Sequence, residues 1–401
     1  MRLPPRLRIA MVDPSLFSAP YDAELCRALS GAGHDVVLHC RPVRGEEPYA
    51  LDAIAVEAAF YPMSERLRRT AGVPSRFSSV LKVPEHALDM WRLVRRLMKD
   101  PPDVVHVQWT VVPVVDRLAI QRLRRVSTVI VTAHNTLPMH GDVRRSISTL
   151  GWAGPLRAAD HVIVHTAHGK TELTAHEVAA AAISVVPHGL LPSGLLPECV
   201  SEPPGERSRG GPRSEGPLRI LFFGRLRPYK GLDTLLRALA VVLAADEAAA
   251  RLRVAGDALM ATAPLQQLAD DLGIGAAVDW DLGFLTEAEA DQAMEDADVL
   301  ALPYRHIDAS GVLMKGLLHG KAIVASRISG FTDLIHDGRN GLLVEVDDPA
   351  DLGAALLRLS HDQTLRSTLE DGAKRSAEAV TSWDAIAQST EAVYRSVVRQ
   401  R

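Results

Sequence analysis

The chain has 401 residues, of which 47% are apolar and 23% charged, with a formal net charge of −4. This length exceeds what one ordinary hydrophobic core supports, so we expect a globular protein of two domains. The slightly acidic balance argues against nucleic-acid binding. Three widely spaced cysteines form neither a zinc pattern nor a disulfide framework, and no signal peptide or transmembrane run is visible, which is typical of a cytoplasmic protein.

Short apolar and β-branched runs recur along the first half, and each is followed by a helix-like pattern. Strands with apolar residues on both faces that alternate with helices are typical of a parallel sheet covered on both sides. We therefore predict a doubly wound α/β domain over residues 1–200. Its predicted strands are 7–13, 35–40, 103–109, 127–135, 161–166 and 183–189.

Basic clusters interrupt this first half at 64–70, 89–100 and 119–126. The cluster at 89–100 also carries Trp91, Leu93, Leu97 and Met98, so it predicts an amphipathic helix. Such a helix can lie on an anionic membrane surface. It can equally bury its apolar stripe in the core and solvate its charged face.

Residues 201–217 are rich in Pro, Gly, Ser and Arg and have almost no apolar content, so they predict a flexible linker. The strand–helix alternation then resumes, which predicts a second doubly wound domain over 218–379. Its predicted strands are 218–224, 251–257, 298–303, 321–327 and 340–345. A last amphipathic helix is predicted near 383–398.

The segment LRILFFGRLRPYKGLDTLLRAL, residues 218–239, contains the most informative pattern. A strand ends at Gly224, Arg225 and Lys230 follow in a turn-rich loop, and a helix begins near Asp233. A loop between a strand and a helix that carries two cations is suited to an anion, and a forked plus a point charge suits a diphosphate. An ordinary exposed basic loop is the alternative.

A second strand–loop–helix unit occupies residues 304–326. The predicted helix starts at Ser310, and Ser310 with Gly311 leaves backbone N–H groups available for an anion at the positive end of the helix dipole. An ordinary N-cap serine is the alternative. Because ligands bind at the carboxyl ends of parallel strands, we expect this helix start beside the end of the 218–224 strand.

Three segments together resemble family 4 of the retaining glycosyltransferases: FFGRLRPYKGLDTLLRAL, DASGVLMKGLLHGKAIVAS and SGFTDLIHDGRNGLLVEVDDPADLGAAL. The resemblance extends over nearly the whole chain and is densest in 218–360. It implies the GT-B fold, in which two Rossmann-like domains face each other across a cleft. It also implies that the final helix, within 380–401, returns to the N-terminal domain and that residues 185–189 form the hinge.

The resemblance assigns roles to particular residues. Arg225 and Lys230 match the cations that clamp the donor diphosphate next to Gly224, and His134 matches a histidine near the donor sugar. The matching phosphate loop is Ala309, Ser310 and Gly311, and the matching nucleobase region is Gly256 with Gly283, Phe284 and Leu285.

The chain departs from the family pattern at two positions. The family carries two glutamates eight residues apart, where this sequence has Ile307 and Lys315; Asp308 is adjacent to the first position. Lys315 cannot accept hydrogen bonds from a ribose, so it would face a phosphate or a carboxylate, or lie on the solvated side of its helix. The first loop begins with Asp13, which is predicted either to contact acceptor or phosphate or to cap the helix at 21–32.

We therefore predict a retaining, metal-independent hexosyltransferase that uses a nucleotide-diphosphate sugar and no cofactor. Arg225 and Lys230 would take the place of a divalent cation, and no Asp-x-Asp motif ends a predicted strand. The acceptor, whether glycan, lipid-linked sugar or small natural product, is not specified by the sequence. The alternatives are a nucleotide-sugar 2-epimerase of the same fold and a non-catalytic sugar-nucleotide-binding protein, which the missing glutamates favour.

Overall fold

A computed structural model describes residues 6–44, 51, 54–71, 75–136, 151–189, 216–308 and 310–398. The chain divides into two compact units. The first contains residues 1–189 together with 381–401, and the second contains residues 190–380. The predicted linker lies outside the described residues except for 216 and 217.

The first unit is a seven-stranded sheet in which every neighbouring pair of strands is parallel. Its strand order is β3-β2-β1-β4-β5-β6-β7, so the chain reverses its direction of winding between β1 and β4. The elements are β1 (Arg8–Asp13), α1 (Ala19–Gly31), β2 (Asp35–Cys40), β3 (Ala55–Ala58), α2 (Pro62–Ala71), α3 (Ser75–Lys99), β4 (Val104–Val107), α4 (Pro113–Leu123), β5 (Thr128–Ala133), α5 (Ala153–Ala158), β6 (His161–Val164), α6 (Ala167–Ala175) and β7 (Ile183–Val185).

The second unit repeats this design with six parallel strands in the order β10-β9-β8-β11-β12-β13. Its winding reverses between β8 and β11. The elements are β8 (Leu218–Phe223), α7 (Leu232–Ala245), β9 (Ala250–Gly256), α8 (Ala263–Asp271), β10 (Val278–Leu282), α9 (Glu287–Asp296), β11 (Val299–Leu302), α10 (Gly311–Leu318), β12 (Ala322–Ser326), α11 (Ser329–Thr332), β13 (Leu342–Val344), α12 (Pro349–His361) and α13 (Gln363–Ala379).

The central strands are fully buried because their apolar residues face helices on both sides. All four residues of β4, all six of β5 and all four of β11 are buried. Continuous apolar runs in these strands are what two-sided burial requires. The predicted class, two doubly wound α/β domains, is confirmed.

The last helix, α14 (Trp383–Val397), packs on α1 in the first unit. The Tyr394 hydroxyl lies 2.6 Å from Nδ1 of His106, and Trp383 packs edge-on against Tyr21. The end of the chain therefore contributes side chains to the interior of the unit in which the chain begins.

Two strands were missing from the sequence prediction, and both lie at sheet edges. In β3, AVEA, no residue is fully buried, and in β10, VDWDL, only Val278 is. An edge strand pairs on one side only and needs no continuous apolar run. Neither segment contains such a run, so the sequence pattern does not indicate either strand.

Candidate functional site

The loop that follows β8 is built around a glycine which admits a lysine side chain. Gly224 has a φ of +101°, and a Cβ there would lie 3.0 Å from Lys230 Nζ and 3.1 Å from Val312 Cγ2. Any side chain at this position would be strained and would crowd both neighbours. The glycine therefore brings the lysine and the first turn of α10 to the end of β8.

Lys230 closes the short 3-10 turn Pro228–Lys230 and is followed by Gly231, whose φ is +69°. A Cβ on Gly231 would lie 2.0 Å from the carbonyl oxygen of Pro303. Arg305 braces the same turn, because its Nη1 donates to Pro228 O at 2.6 Å and its Nη2 donates to Asp233 Oδ2 at 2.8 Å. The loops after β8 and β11 are thus locked together.

The ammonium of Lys230 is held out of water, and its hydrogen bond within the described part of the chain is to a backbone carbonyl. Its side chain is buried, Nζ donates to Phe223 O at 3.3 Å, and Nζ lies 5.1 Å from the centre of the Tyr304 ring. Among the described residues no carboxylate pairs with it. Loss of solvent, followed by the charges of Arg225 and Arg227, lowers the pKa of Lys230 to about 7. A bound anion would reverse this destabilisation of the charged form.

Arg225 lies beside this lysine but points outward. It is exposed, and it makes no hydrogen bond or ion pair with any side chain that the structure describes. Its charge nevertheless acts on Lys230, since it contributes to lowering the pKa of that lysine. An exposed guanidinium next to a buried ammonium provides a forked donor and a point charge in one place.

The start of α10 adjoins the same glycine through Val312. Ser310 is the N-cap, and its buried hydroxyl accepts a hydrogen bond from Leu313 N at 3.2 Å. The cap therefore satisfies one of the first N–H groups and leaves the remaining positive end of the helix beside Gly224. Gly311 is the first helical residue, and Ala309 lies outside the described residues.

The other residues predicted to hold the donor differ in how closely they approach Gly224 and in how exposed they are. Gly256, at φ +132°, lets the end of β9 approach closely, because a Cβ there would lie 2.4 Å from Gly224 O. Phe284 is 54% exposed, and Leu285 is partly exposed. Asp308 is half-buried in the loop that packs on Gly330, where a Cβ would lie 2.1 Å from Ile307 O.

Lys315 faces a carboxylate in the structure. It is buried, and its Nζ lies 2.5 Å from Oδ1 of Asp291 on α9. His319 Nε2 lies 3.0 Å from the same oxygen. Of the three environments considered for Lys315, the solvated helix face is therefore wrong, and the carboxylate is the one observed. A contact with the donor would have to be shared with Asp291.

In the first unit, His134 follows β5 and is enclosed by its neighbours. It is 7% exposed, stacks on Trp109 with 5.1 Å between ring centres, and meets Tyr21 edge-on. Nε2 lies 3.0 Å from Gln108 Oε1, and Nδ1 lies 3.0 Å from His165 Nε2. Both ring nitrogens are thus engaged within the unit, and burial holds the pKa of His134 well below its usual value.

His165 sets the hydrogen-bonding pattern of this pair. Its Nδ1 lies 3.0 Å from the carbonyl oxygen of Val186, which can only accept, so Nδ1 carries the hydrogen. Burial lowers the pKa of His165 to about 3, which keeps the ring neutral. Its Nε2 then accepts from Nδ1–H of His134, so Nε2 of His134 carries no hydrogen and requires the Gln108 amide to turn its NH2 group toward it, because two acceptors cannot form a hydrogen bond.

Asp13, at the end of β1, is fully buried. Its carboxylate accepts from the backbone N–H groups of Ser15 and Ser18, each at 3.2 Å, and lies against Asp22. Burial raises the pKa of both carboxyls. Asp13 thus organises the loop that leads into α1 but does not cap the helix, whose N-cap residue is Ser18. Its contact with acceptor or phosphate stays a prediction.

The family model described as Glycosyltransferase Family 4 matches residues 21–192, and the model described as Glycosyl transferases group 1 matches residues 217–362. Together the two matches extend over most of the chain and fall one on each unit. The chain is therefore a glycosyltransferase, with its first unit matched by the family 4 model and its second by the group 1 model.

Curated relatives of this glycosyltransferase include two named D-inositol 3-phosphate glycosyltransferase. The one from Acidothermus cellulolyticus is 28% identical over 95% of the chain and 86% of the relative. The one from Geodermatophilus obscurus is 32% identical over 60% of the chain and 54% of the relative.

Solved structures share the fold. Anabaena HepE in complex with UDP and glucose superposes with a TM-score of 0.70 at 19% identity, over 97% of this chain and all of that one. Sucrose-phosphate synthase from Thermosynechococcus elongatus gives 0.71 at 18% identity, over 98% of this chain and 99% of that one. Both likenesses bear on the fold alone.

Sequence reasoning did not find several residues that build these sites. Arg305 braces the lysine turn, Asp291 holds Lys315, and Gln108 and His165 hold His134. A signal existed for His165, because it ends a predicted strand next to the one that ends at His134. Parallel strands end at the same edge of a sheet, so two such histidines are expected near each other.

Proposed function

We propose that this glycosyltransferase moves a hexose from a nucleotide-diphosphate sugar to an acceptor hydroxyl, with retention of configuration and without a metal ion. The observation that carries the proposal is the buried ammonium of Lys230 beside Gly224 and the start of α10. No carboxylate of the described residues pairs with this cation, and a bound diphosphate would supply the counter-charge. Complexes of Anabaena HepE with UDP and with UDP-glucose lend support to this donor class.

The proposed chemistry separates a diphosphate from the anomeric carbon. As this bond breaks, negative charge collects on the phosphate oxygens and the sugar becomes oxocarbenium-like. Arg225, protonated Lys230 and the N–H groups at the start of α10 would stabilise that charge without rearranging. The acceptor oxygen forms the new bond to the anomeric carbon, and its proton leaves with the nucleotide diphosphate.

His134 is proposed to lie near the donor sugar, as the family resemblance implies. Its Nε2 lies against Gln108, so a sugar hydroxyl would have to take the place of the Gln108 amide. The tautomer set by His165 would then make Nε2 an acceptor for that hydroxyl. His134 would orient the sugar through this contact, and its low pKa would keep it neutral.

The test is a donor screen followed by product analysis. Nucleotide-diphosphate sugars are ranked by thermal shift, since a ligand at 100 times its Kd stabilises the folded state by about 2.7 kcal/mol. The best donor is then incubated with hydroxyl acceptors that include inositol phosphate, chosen because of the relatives' names. We expect a new glycoside whose anomeric NMR coupling matches that of the donor, formed equally well with EDTA. An inverted product, or activity abolished by EDTA and restored by a divalent cation, would refute the retaining or metal-independent parts.

A further inference from the structure

The outward face of α3 in the first unit combines apolar and cationic side chains in one stripe. Leu88, Trp91 and Met98 are exposed, at 43%, 52% and 38%. Spacings of three and seven residues place them on one side of the helix. Arg95 lies between them, with its guanidinium carbon 4.6 Å from the centre of the Trp91 ring. The apolar residues of the predicted 89–100 helix therefore lie on two faces: Leu93 and Leu97 are buried, whereas Trp91 and Met98 are exposed.

Helix α4 extends the same surface. The buried sides of α3 and α4 enter one hydrophobic cluster, through Leu93 and Leu123 among others, so both helices cover the same side of the sheet. His86 Nε2 also lies 2.7 Å from Asp116 Oδ1 and joins the two helices. The outward side of α4 exposes Val114 at 60% and Leu118 at 48%. Apolar side chains thus protrude from two neighbouring helices.

On these two helices the described carboxylates are buried, whereas several cations are exposed. Every carboxylate with a described side chain on α3 and α4 is buried: Glu85, Asp89 and Asp116. The exposed cations with no ion-pair partner among the described residues are Arg95 and Lys99 on α3, Arg117 and Arg122 on α4, and Arg125 just after it. By contrast, Arg219 and Arg327 in the second unit pair with carboxylates. The surface of α3 and α4 is therefore positive as well as apolar.

We propose that this α3–α4 surface binds the face of an anionic lipid bilayer. Protruding Trp, Leu, Met and Val side chains would enter the boundary between headgroups and acyl chains, and the exposed cations of the surface would meet anionic headgroups. Trp91, with the Arg95 guanidinium over its ring, suits this boundary, because an amphipathic side chain there has one part in the apolar layer and its polar part in water. An acidic protein partner would explain the cations but not the protruding apolar tips between them.

The test is co-sedimentation of the full chain with vesicles. We expect binding to vesicles of equal parts phosphatidylglycerol and phosphatidylcholine, little binding to phosphatidylcholine alone, and loss of binding at high salt. Trp91→Ser should weaken binding severalfold. Arg95→Gln and Lys99→Gln should each weaken it about fivefold. The matched controls are Leu259→Ser and Arg237→Gln, which change exposed residues of the second unit and should bind as the parent does.

Circular dichroism melts verify that each variant is folded, which the exposed positions favour. Equal binding to charged and neutral vesicles, no binding to either, or binding unchanged in the three surface variants would each overturn the proposal. Donor binding is measured in parallel by thermal shift. Because Lys230 and the start of α10 belong to the second unit, failure of vesicle binding with intact donor binding would refute this surface and leave the proposed reaction standing.

Discussion

Lys230 shows how one residue acquires a chemical task from its surroundings. The turn buries its ammonium, leaves one backbone carbonyl as its hydrogen-bond partner among the described residues, and adds two arginines nearby. Each of these factors except the carbonyl disfavours the charged form. The site is therefore organised for an anion before the anion arrives, which is what preorganised charge stabilisation requires.

Removing this ammonium should impair the chemical step more than the fold. We expect Lys230→Ala to lower kcat about a hundredfold or more, because one preorganised donor contributes about 3 kcal/mol to the transition state. The control is Lys321→Ala. That lysine is also buried in the second unit, but it donates to the carbonyls of Glu295 and Ala297, so its loss should lower Tm and leave kcat largely intact. Unchanged turnover in Lys230→Ala would remove this residue from the mechanism.

Binding of an anion should also cause the protein to take up a proton at Lys230. With a pKa of about 7, Lys230 is mostly neutral at pH 8 in the free protein, whereas a bound diphosphate would raise that pKa and draw in a proton. Titration calorimetry with UDP at pH 8, in two buffers of different ionisation enthalpy, should show proton uptake approaching one per site. At this pH the terminal phosphate is already ionised. Lys230→Met should abolish the uptake, and identical apparent enthalpies in both buffers for the parent would contradict the prediction.

At the scale of elements, the N-terminal end of α10 has two roles: it is capped by Ser310, and it is proposed to bind the diphosphate. Its N-cap stabilises the helix through Ser310 and Leu313, and the same end is proposed to face a diphosphate. Substitutions at Ser310 can test the capping role separately from the effect of a charge at this helix end. Ser310→Asn and Ser310→Asp both place a good N-cap residue at this buried position and are nearly equal in shape, but only aspartate adds a negative charge.

We expect the two variants to have similar stability and different donor affinity. Thermal melts should place their Tm values close together, whereas thermal shift with the best donor should be much weaker for Ser310→Asp. Ser310→Ala provides the reference for cap loss alone, at about 1 kcal/mol of stability. Equal donor affinity of the asparagine and aspartate variants would show that the diphosphate does not approach this helix end.

At the scale of the whole molecule, the two units differ in how many neutral histidines they bury. Burial lowers the pKa of His39 and His188 to about 4 and of His106 and His165 to about 3, all in the first unit, and holds that of His134 well below its usual value. In the second unit, burial lowers the pKa of His306 and His319.

A histidine whose folded pKa lies below the unfolded value of about 6.5 binds its proton more readily in the unfolded chain. Its contribution to stability is complete above pH 6.5 and is lost as the pH falls toward the folded pKa. The raised pKa values of Asp13 and Asp22 act in the opposite sense below their folded values but involve fewer groups. We therefore expect the first unit to lose stability more steeply than the second between pH 6.5 and 4.

Hydrogen exchange resolved by peptide, corrected for the intrinsic pH dependence, measures this difference directly. Protection in β4, β5 and β6 should fall before protection in β8, β11 and β12 as the pH is lowered. A variant with His106→Gln should lose less protection on acidification, because it has one fewer group to protonate. Simultaneous loss of protection in both units would contradict the prediction.

The sequence by itself determined the alternation of strands and helices, the two-domain division and the local loop around Gly224 and Lys230. Each of these follows from patterns a few residues long: apolar periodicity, a glycine at a strand end and a lysine in the next turn. The edge strands β3 and β10 were not predicted, because a strand that pairs on one side only has a weak apolar pattern.

Only the tertiary structure decided which distant side chains meet. Asp291 reaches Lys315, Arg305 reaches the Lys230 turn, and His165 with Gln108 occupies both nitrogens of His134. Such pairs are set by strand order and helix packing across many residues of chain. Their effects on charge also depend on burial, and a sequence pattern specifies the groups present without specifying how much water each one keeps.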